Sequence, residues 1–272
     1  MSKSTKNKIA ILGSGNIGMS LARGLVKSNY CEAGQITLTR RNVQRIAELT
    51  AKGYHITDQN LKAVGEASVV ILAVLPQQLD QLLDQIKEVV RPDHLIISVV
   101  SGVSCLDIRE KLGNNVPVVR AMPNTAIAIG QSMTCFASDH ASPQQLEIVT
   151  DMFETVGAVM KINEELMTSA TALCACGVAF FLRAIRAASQ GGVEIGFHAD
   201  EALKMAVQTA KGAADLLLQM QSHPENEIDK VTSPKGCTIA GLNEMEHNGF
   251  SSSLIKGIKL SAAKAGGLYV KE

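Results

Sequence analysis

Lys8-Ile9-Ala10-Ile11-Leu12-Gly13-Ser14-Gly15-Asn16-Ile17-Gly18 reads as a short apolar strand that runs straight into a glycine turn. A helix-forming run, Met19 to Val26, follows at once. In such a strand, turn and helix, Gly13 permits the tight turn and Gly15 lets a pyrophosphate approach the backbone. Gly18 lets the helix pack closely on the strand. The free N–H groups and partial positive charge of the helix start then favour phosphate. The stretch Gly13, Ser14, Gly15, Asn16, Ile17 and Gly18 is therefore the expected dinucleotide-binding turn. A plain glycine-rich turn has the same letters; the position between strand and helix favours the nucleotide.

Outward from that turn, strand and helix alternate. Gln35 to Thr39 is a second strand, and it ends in Arg40-Arg41. An NAD-preferring fold places Asp or Glu near this point for the ribose 2′-OH. Two arginines suit a 2′-phosphate instead, so NADPH is the expected cofactor, ahead of NADH. Val43 to Lys52 reads as a helix. Ala67 to Leu75 is a nearly continuous apolar run, as for a strand buried on both faces, and Pro76 opens a helix from Gln77 to Val90. Leu95 to Val100, Val116 to Arg120, Ser132 to Ala137 and Gly157 to Ile162 are further strands. Ser104 is an expected N-cap, and Pro143 to Thr155 a helix. The alternation predicts an α/β fold, with a Rossmann-type, doubly wound and mostly parallel sheet over residues 1–163.

From Asn163 onward helical periodicity takes over, giving a second, all-helical domain over residues 164–272. Met167 to Gln190 is apolar on most faces, which places it in a core or at a subunit interface. A helical domain with so apolar a first helix is expected to dimerise. Asp200 to Gln221, Glu225 to Val231, Cys237 to His247 and Phe250 to Ala265 are the later helices.

Composition removes several classes of function. Lys+Arg and Asp+Glu are both 26 in 272 residues, so no basic excess points to nucleic acid or an anionic membrane. Trp is absent and aromatics are 3%, which leaves no base-stacking platform. The six cysteines form no C-x-x-C and read as reduced thiols, with no metal site expected. The polar start, Met1 to Lys8, lacks the apolar core of a signal peptide, and no apolar run approaches the roughly 20 residues of a membrane span. The expected location is the cytoplasm.

A nucleotide fold joined to a helical domain suggests hydride transfer. In beta-hydroxyacid dehydrogenases a catalytic Lys sits on the first helix after the nucleotide domain. Met167 to Gln190 holds neither Lys nor His, which argues against alcohol oxidation of that kind. The polar feature of the second domain is Ser233-Pro234-Lys235-Gly236-Cys237-Thr238, a turn opening a helix. Its N–H groups suit a substrate carboxylate, or the turn is a plain helix cap.

Val231 to Leu242, with that turn at its centre, resembles the signature of pyrroline-5-carboxylate reductases. Ala73-Val74-Leu75-Pro76-Gln77, Ser98 to Ser104, Arg120 to Thr125, Gly191-Gly192-Val193 and Ala206 to Leu217 resemble further blocks of that family in the right order. The resemblance implies NADPH- or NADH-dependent reduction of a cyclic imine, 1-pyrroline-5-carboxylate, to L-proline. It also implies a C-terminal dimerisation domain, with dimers assembling into decamers. Carried over by position, Gly13 to Gly18, Arg40, Arg41, Asn60, Ala73, Val74, Leu75 and Pro76 line the dinucleotide. Met122, Asn124 and Thr125 lie by the nicotinamide. Ser233, Gly236, Cys237 and Thr238 hold the substrate, Thr238 at the ring nitrogen as the catalytic hydroxyl. This chain departs from the pattern: Leu75 replaces Lys, Ala126 replaces Pro, Cys174 and Cys176 replace two serines, Val178 replaces Pro, and Lys235 replaces Gly. A reductase of another cyclic imino acid and an NADPH-binding oligomer impaired in catalysis stay open as alternatives.

Overall fold

The computed structural model describes residues 5–113 and 115–268. The ends of the expected domains, residues 1–4 and 269–272, lie outside the described residues. Contacts divide the chain into two compact units. One runs to Cys176 and includes the residues from Leu260 onward; the other is Gly177–Lys259.

Among the described residues of the first unit, eight strands form one sheet. They are β1 (Ile9–Leu12), β2 (Ile36–Thr39), β3 (His55–Thr57), β4 (Val69–Leu72), β5 (Leu95–Ser98), β6 (Val118–Met122), β7 (Ser132–Ala137) and β8 (Gly157–Lys161). Their order is β3-β2-β1-β4-β5-β6-β7-β8, and every pairing is parallel except β6 with β7. The first six strands follow the dinucleotide-fold order, which reverses between β1 and β4.

Alternation along the strands explains why both faces are covered. Ile9 and Ile11 of β1, with Ile71 and Ile97, bury against Leu21 and Leu25 of α1 (Asn16–Lys27). Ala10, Leu12, Leu72 and Ile96 point the other way. They meet α2 (Asn60–Glu66), α3 (Leu79–Ile86) and α4 (Cys105–Leu112). α5 (Pro143–Glu154) joins the α1 face through Val149 and Phe153. Side chains of one strand alternate in direction, so a central strand with a helical layer on each side must be apolar throughout.

Several local expectations need correction. β3 and α2 are present though unforeseen. Val43–Lys52 is a 3₁₀ helix. Its two buried residues, Ile46 and Leu49, are three apart, a spacing that a three-residue turn aligns. The strand expected from Val116 begins at Val118 and runs on to Met122. The helix expected from Gln77 to Val90 is a short 3₁₀ turn, Pro76–Gln78, followed by α3.

The helical part opens with α6 (Met167–Ala170) and a π-helical turn, Thr171–Cys176. α7 (Gly177–Glu194), α8 (Ala199–Met220), α9 (Pro224–Val231), α10 (Cys237–His247) and α11 (Phe250–Ala265) follow. Gly192 brings α7 close to α8: a Cβ there would come within 2.9 Å of the Ala202 Cβ. α7 buries only Gly177 and Ser189, while Phe181 is 63% and Leu182 59% exposed. Within one chain the apolar helix is thus no core element, which leaves the interface reading. The sequence reading of apolar runs is also corrected. The 31-residue helical stretch Glu164–Glu194 contains an 18-residue window with a mean hydropathy of 1.6, long and apolar enough to cross a membrane by length and composition. Its small residues, Gly, Ala, Cys and Thr, disguise that length.

Candidate dinucleotide and substrate sites

Parallel strands bring their carboxyl ends to one edge, and ligands of open α/β sheets bind there at the switch point. Gly13 follows the end of β1, Arg40 that of β2 and Ala73 that of β4, Met122 ends β6, and Asn60 opens α2 just after β3. The expected cofactor residues therefore gather along this edge.

The three turn glycines differ in what constrains them. Gly13 has φ +100, and a Cβ there would come within 2.6 Å of the Ala73 carbonyl oxygen. At Gly18 a Cβ would lie 2.5 Å from the Gly13 carbonyl oxygen and 3.1 Å from Ile11 Cγ2. Both glycines serve packing. Gly15 is the N-cap of α1, offers no side-chain cap, and has nothing within 4 Å of an added Cβ. That open cradle at a helix N-terminus fits a pyrophosphate. Ser14 is buried, and its hydroxyl donates to the Thr39 carbonyl at 3.0 Å, so its side chain secures the turn.

Arg40 Nη1 donates to the Ser14 carbonyl at 2.7 Å, tying the end of β2 to the glycine turn, and Arg41 beside it is exposed. Asn60 Nδ2 donates to Gln85 Oε1 at 3.0 Å. Ala73 N–H donates to the Leu12 carbonyl at 2.8 Å, keeping Ala73 and Val74 beside the turn. Leu75 is 64% exposed, and Pro76 begins the 3₁₀ turn.

Met122 and Asn124 are buried. Ser101 Oγ lies 3.9 Å from Met122 Sδ. The Asn124 N–H donates to Ser132 Oγ, its Oδ1 accepts from the Ala126 N–H, and its Nδ2 donates to the Cys174 carbonyl at 3.2 Å. One amide proton and one lone pair remain for a ligand. Thr125 is exposed beside it. The grip from Cys174 was not legible in sequence, because 50 residues separate the partners.

The ligand-type cluster Cys105, Asp139 and Glu164 holds its donor atoms within 4.8 Å of one another. Two guanidinium groups already occupy its carboxylates: Arg109 pairs with Asp139 at 2.8 Å and Arg120 with Glu164 at 3.1 Å. Glu164 Oε1 also accepts from the Cys105 N–H at 2.7 Å. Burial and the neighbouring carboxylates push the Cys105 thiol up to about 12.

In the second unit, the Gly236 N–H donates to the Ser233 carbonyl at 2.9 Å, closing a turn over Pro234 and Lys235. Lys235 has φ +58, the left-handed region in which the glycine it replaces rests freely. A Cβ at Gly236 would come within 2.9 Å of the Ser233 carbonyl oxygen, so the turn is tight there. Gly236 N-caps α10 with no side-chain hydrogen bond, which leaves the first N–H groups of that helix available. Ser233 and Cys237 are exposed and Thr238 is half-buried.

Sheet order and turn geometry define a dinucleotide-binding protein of the doubly wound class. Residues 8–102 match the family described as NADP oxidoreductase, coenzyme F420-dependent, and residues 164–268 match pyrroline-5-carboxylate reductase dimerisation. Pyrroline-5-carboxylate reductase 2 of Dictyostelium discoideum is 52% identical over 97% of this chain and 93% of its own length. Pyrroline-5-carboxylate reductase 1 of the same organism is 54% identical over 98% of the chain, which spans only 50% of that longer relative. A solved 1-pyrroline-5-carboxylate reductase from Streptococcus pyogenes is 27% identical with a TM-score of 0.86, covering 96% of this chain and 98% of that one. A Plasmodium falciparum pyrroline carboxylate reductase with NADP bound shares the fold, with a TM-score of 0.89 at 22% identity over 98% of this chain and 100% of that one. The chain belongs to the pyrroline-5-carboxylate reductase family. Its residues 164–268 are a dimerisation region, and α7 and α8 within it expose large apolar side chains in the single chain.

Proposed function

We propose that this chain reduces 1-pyrroline-5-carboxylate to L-proline with NADPH, the last step of proline biosynthesis. The 52% identity to a reductase of that name, across nearly the full length of both chains, carries the reading. NADPH, when bound, supplies the hydride. Gly13 to Gly18 hold its pyrophosphate, the open position at Gly15 being where the backbone makes room. Arg40 and Arg41 take the 2′-phosphate, with Asn60 and Ala73 to Pro76 along the rest of the dinucleotide. Met122, Asn124 and Thr125 border the nicotinamide.

The imine substrate needs little acid catalysis. Once protonated it is already electrophilic, so alignment and exclusion of water matter more than proton transfer. Ser233, Gly236, Cys237 and the free N–H groups of α10 hold the carboxylate. The Thr238 hydroxyl bonds the ring nitrogen and fixes the orientation of the ring. Leu75 puts an apolar side chain where the family has a cation, and NADPH binding then rests on Arg40 and Arg41.

The nucleotide domain is residues 1–163 and the dimerisation and substrate domain is 164–272. Dimers assemble into decamers in the cytoplasm, without nucleic acid or membrane partners. NADH is the weaker coenzyme. Steady-state oxidation of NADPH across a panel of cyclic imino acids tests this. Fastest turnover with pyrroline-5-carboxylate is expected. Preference for a different ring would mean a divergent reductase, and tight NADPH binding without turnover on any imine would mean an inactive oligomer.

A further inference from the structure

We propose that Cys135 and Cys174 form a reversible disulfide that slows the reductase by displacing Asn124. The two sulfurs are already 3.9 Å apart, in side chains 39 residues distant in sequence. Cys135 lies in β7 and faces Met122 of β6 in the antiparallel register. Cys174 lies in the π-helical turn, and its carbonyl accepts from Asn124 Nδ2 at 3.2 Å. The thiol pair thus adjoins Met122-Pro123-Asn124 at both of its ends, Cys135 through the strand pairing with Met122 and Cys174 through the bond to Asn124. The consequence for activity rests on the proposed nicotinamide role of those residues; the disulfide itself does not.

A disulfide needs its sulfurs about 2.05 Å apart, so the pair must close by nearly 2 Å. Cys135 sits in a strand paired on both edges and cannot follow easily. The π turn, with its wide and poorly filled backbone ring, is the adjustable side. Drawing Cys174 toward β7 shifts its carbonyl and loosens the amide it holds. The chemistry balances with hydrogen peroxide as oxidant. Cys174, the more accessible thiol, attacks the peroxide as thiolate: an S–O bond forms, the O–O bond breaks, and one water leaves after taking a proton. The Cys135 sulfur then attacks the sulfenic sulfur. The S–S bond forms, the S–O bond breaks, and the Cys135 proton leaves with the second water. Two thiols lose two electrons and the peroxide gains them. A dithiol reductant reverses the step by thiol exchange.

The test treats the reduced, full-length protein with limiting hydrogen peroxide, then maps peptides by mass spectrometry and assays NADPH oxidation in parallel. A peptide cross-linked through Cys135 and Cys174 is expected, together with an activity loss of at least fivefold that dithiothreitol restores. Cys135→Ala and Cys135→Ser should each retain activity through the same treatment. No such cross-link, or one joining Cys176 instead, overturns the proposal. A Cys135–Cys174 cross-link with unchanged activity overturns the regulatory half. Because the peptide map reads oxidation without any substrate, an inactive enzyme would count against the proposed function and leave the disulfide measured.

Discussion

At the scale of single residues, the glycines of the first turn separate folding from binding. Gly18→Ala forces a Cβ to 2.5 Å from a backbone carbonyl, and should destabilise the protein by about 1–3 kcal/mol in urea denaturation. Gly15→Ala meets nothing within 4 Å and is already at an extended φ of −83, so its stability should hold. Its NADPH Kd should instead rise roughly tenfold or more, the cost of about 1.4 kcal/mol at a crowded phosphate, measured by fluorescence titration. Equal damage to stability from both variants would contradict the division. In the second unit, Thr238→Ala removes a hydroxyl assigned to the ring nitrogen. A drop in kcat/KM of roughly tenfold to a hundredfold is expected, in line with a hydrogen bond to a charged group, with NADPH binding unchanged. Lys235 shows how such a position tolerates change. Holding Lys in the left-handed region costs about 1–2 kcal/mol, which its smaller unfolded-state entropy relative to Gly partly offsets.

At the scale of elements, α4 illustrates a link between burial and pH. Its first residue, Cys105, is fully buried, and its thiol is raised from 9.0 to about 12 by desolvation and then by Glu164. The folded state therefore holds this proton more tightly than the unfolded chain. The stability so gained is complete below pH 9.0 and is lost as pH rises toward about 12. Thermal melts between neutral pH and pH 11 or so should fall more steeply for the wild type than for Cys105→Ala. Parallel slopes would show that the thiol does not matter. Elements also show what sequence can and cannot carry. β1 and β4 announce themselves because a strand buried on two faces has no polar position to lose. β3 is only His55–Thr57, too short for any alternation to register. The edge that gathers Gly13, Arg40, Ala73 and Met122 follows from parallel pairing and so was readable from order alone. The bond from Asn124 to Cys174 and the Cys135 contact depend on tertiary packing across dozens of residues, and no local pattern encodes them.

At the scale of the whole molecule, the helical region exposes Phe181, Leu182, Leu216, Leu218 and Met220 in one chain. Burial of these side chains between two copies would reconcile a helix apolar enough for a membrane with a family dimerisation region. Phe181→Asp or Leu218→Asp should shift the protein toward monomer in light scattering, with secondary structure retained by circular dichroism; an unchanged mass would place the interface elsewhere. The proposed reaction moves a hydride from NADPH to a cyclic imine. Turnover of pyrroline-5-carboxylate with NADPH deuterated at the transferable position reads it directly. Mass spectrometry of the product should show L-proline carrying one deuterium per cofactor consumed. NADPH bound but no labelled proline formed would contradict it.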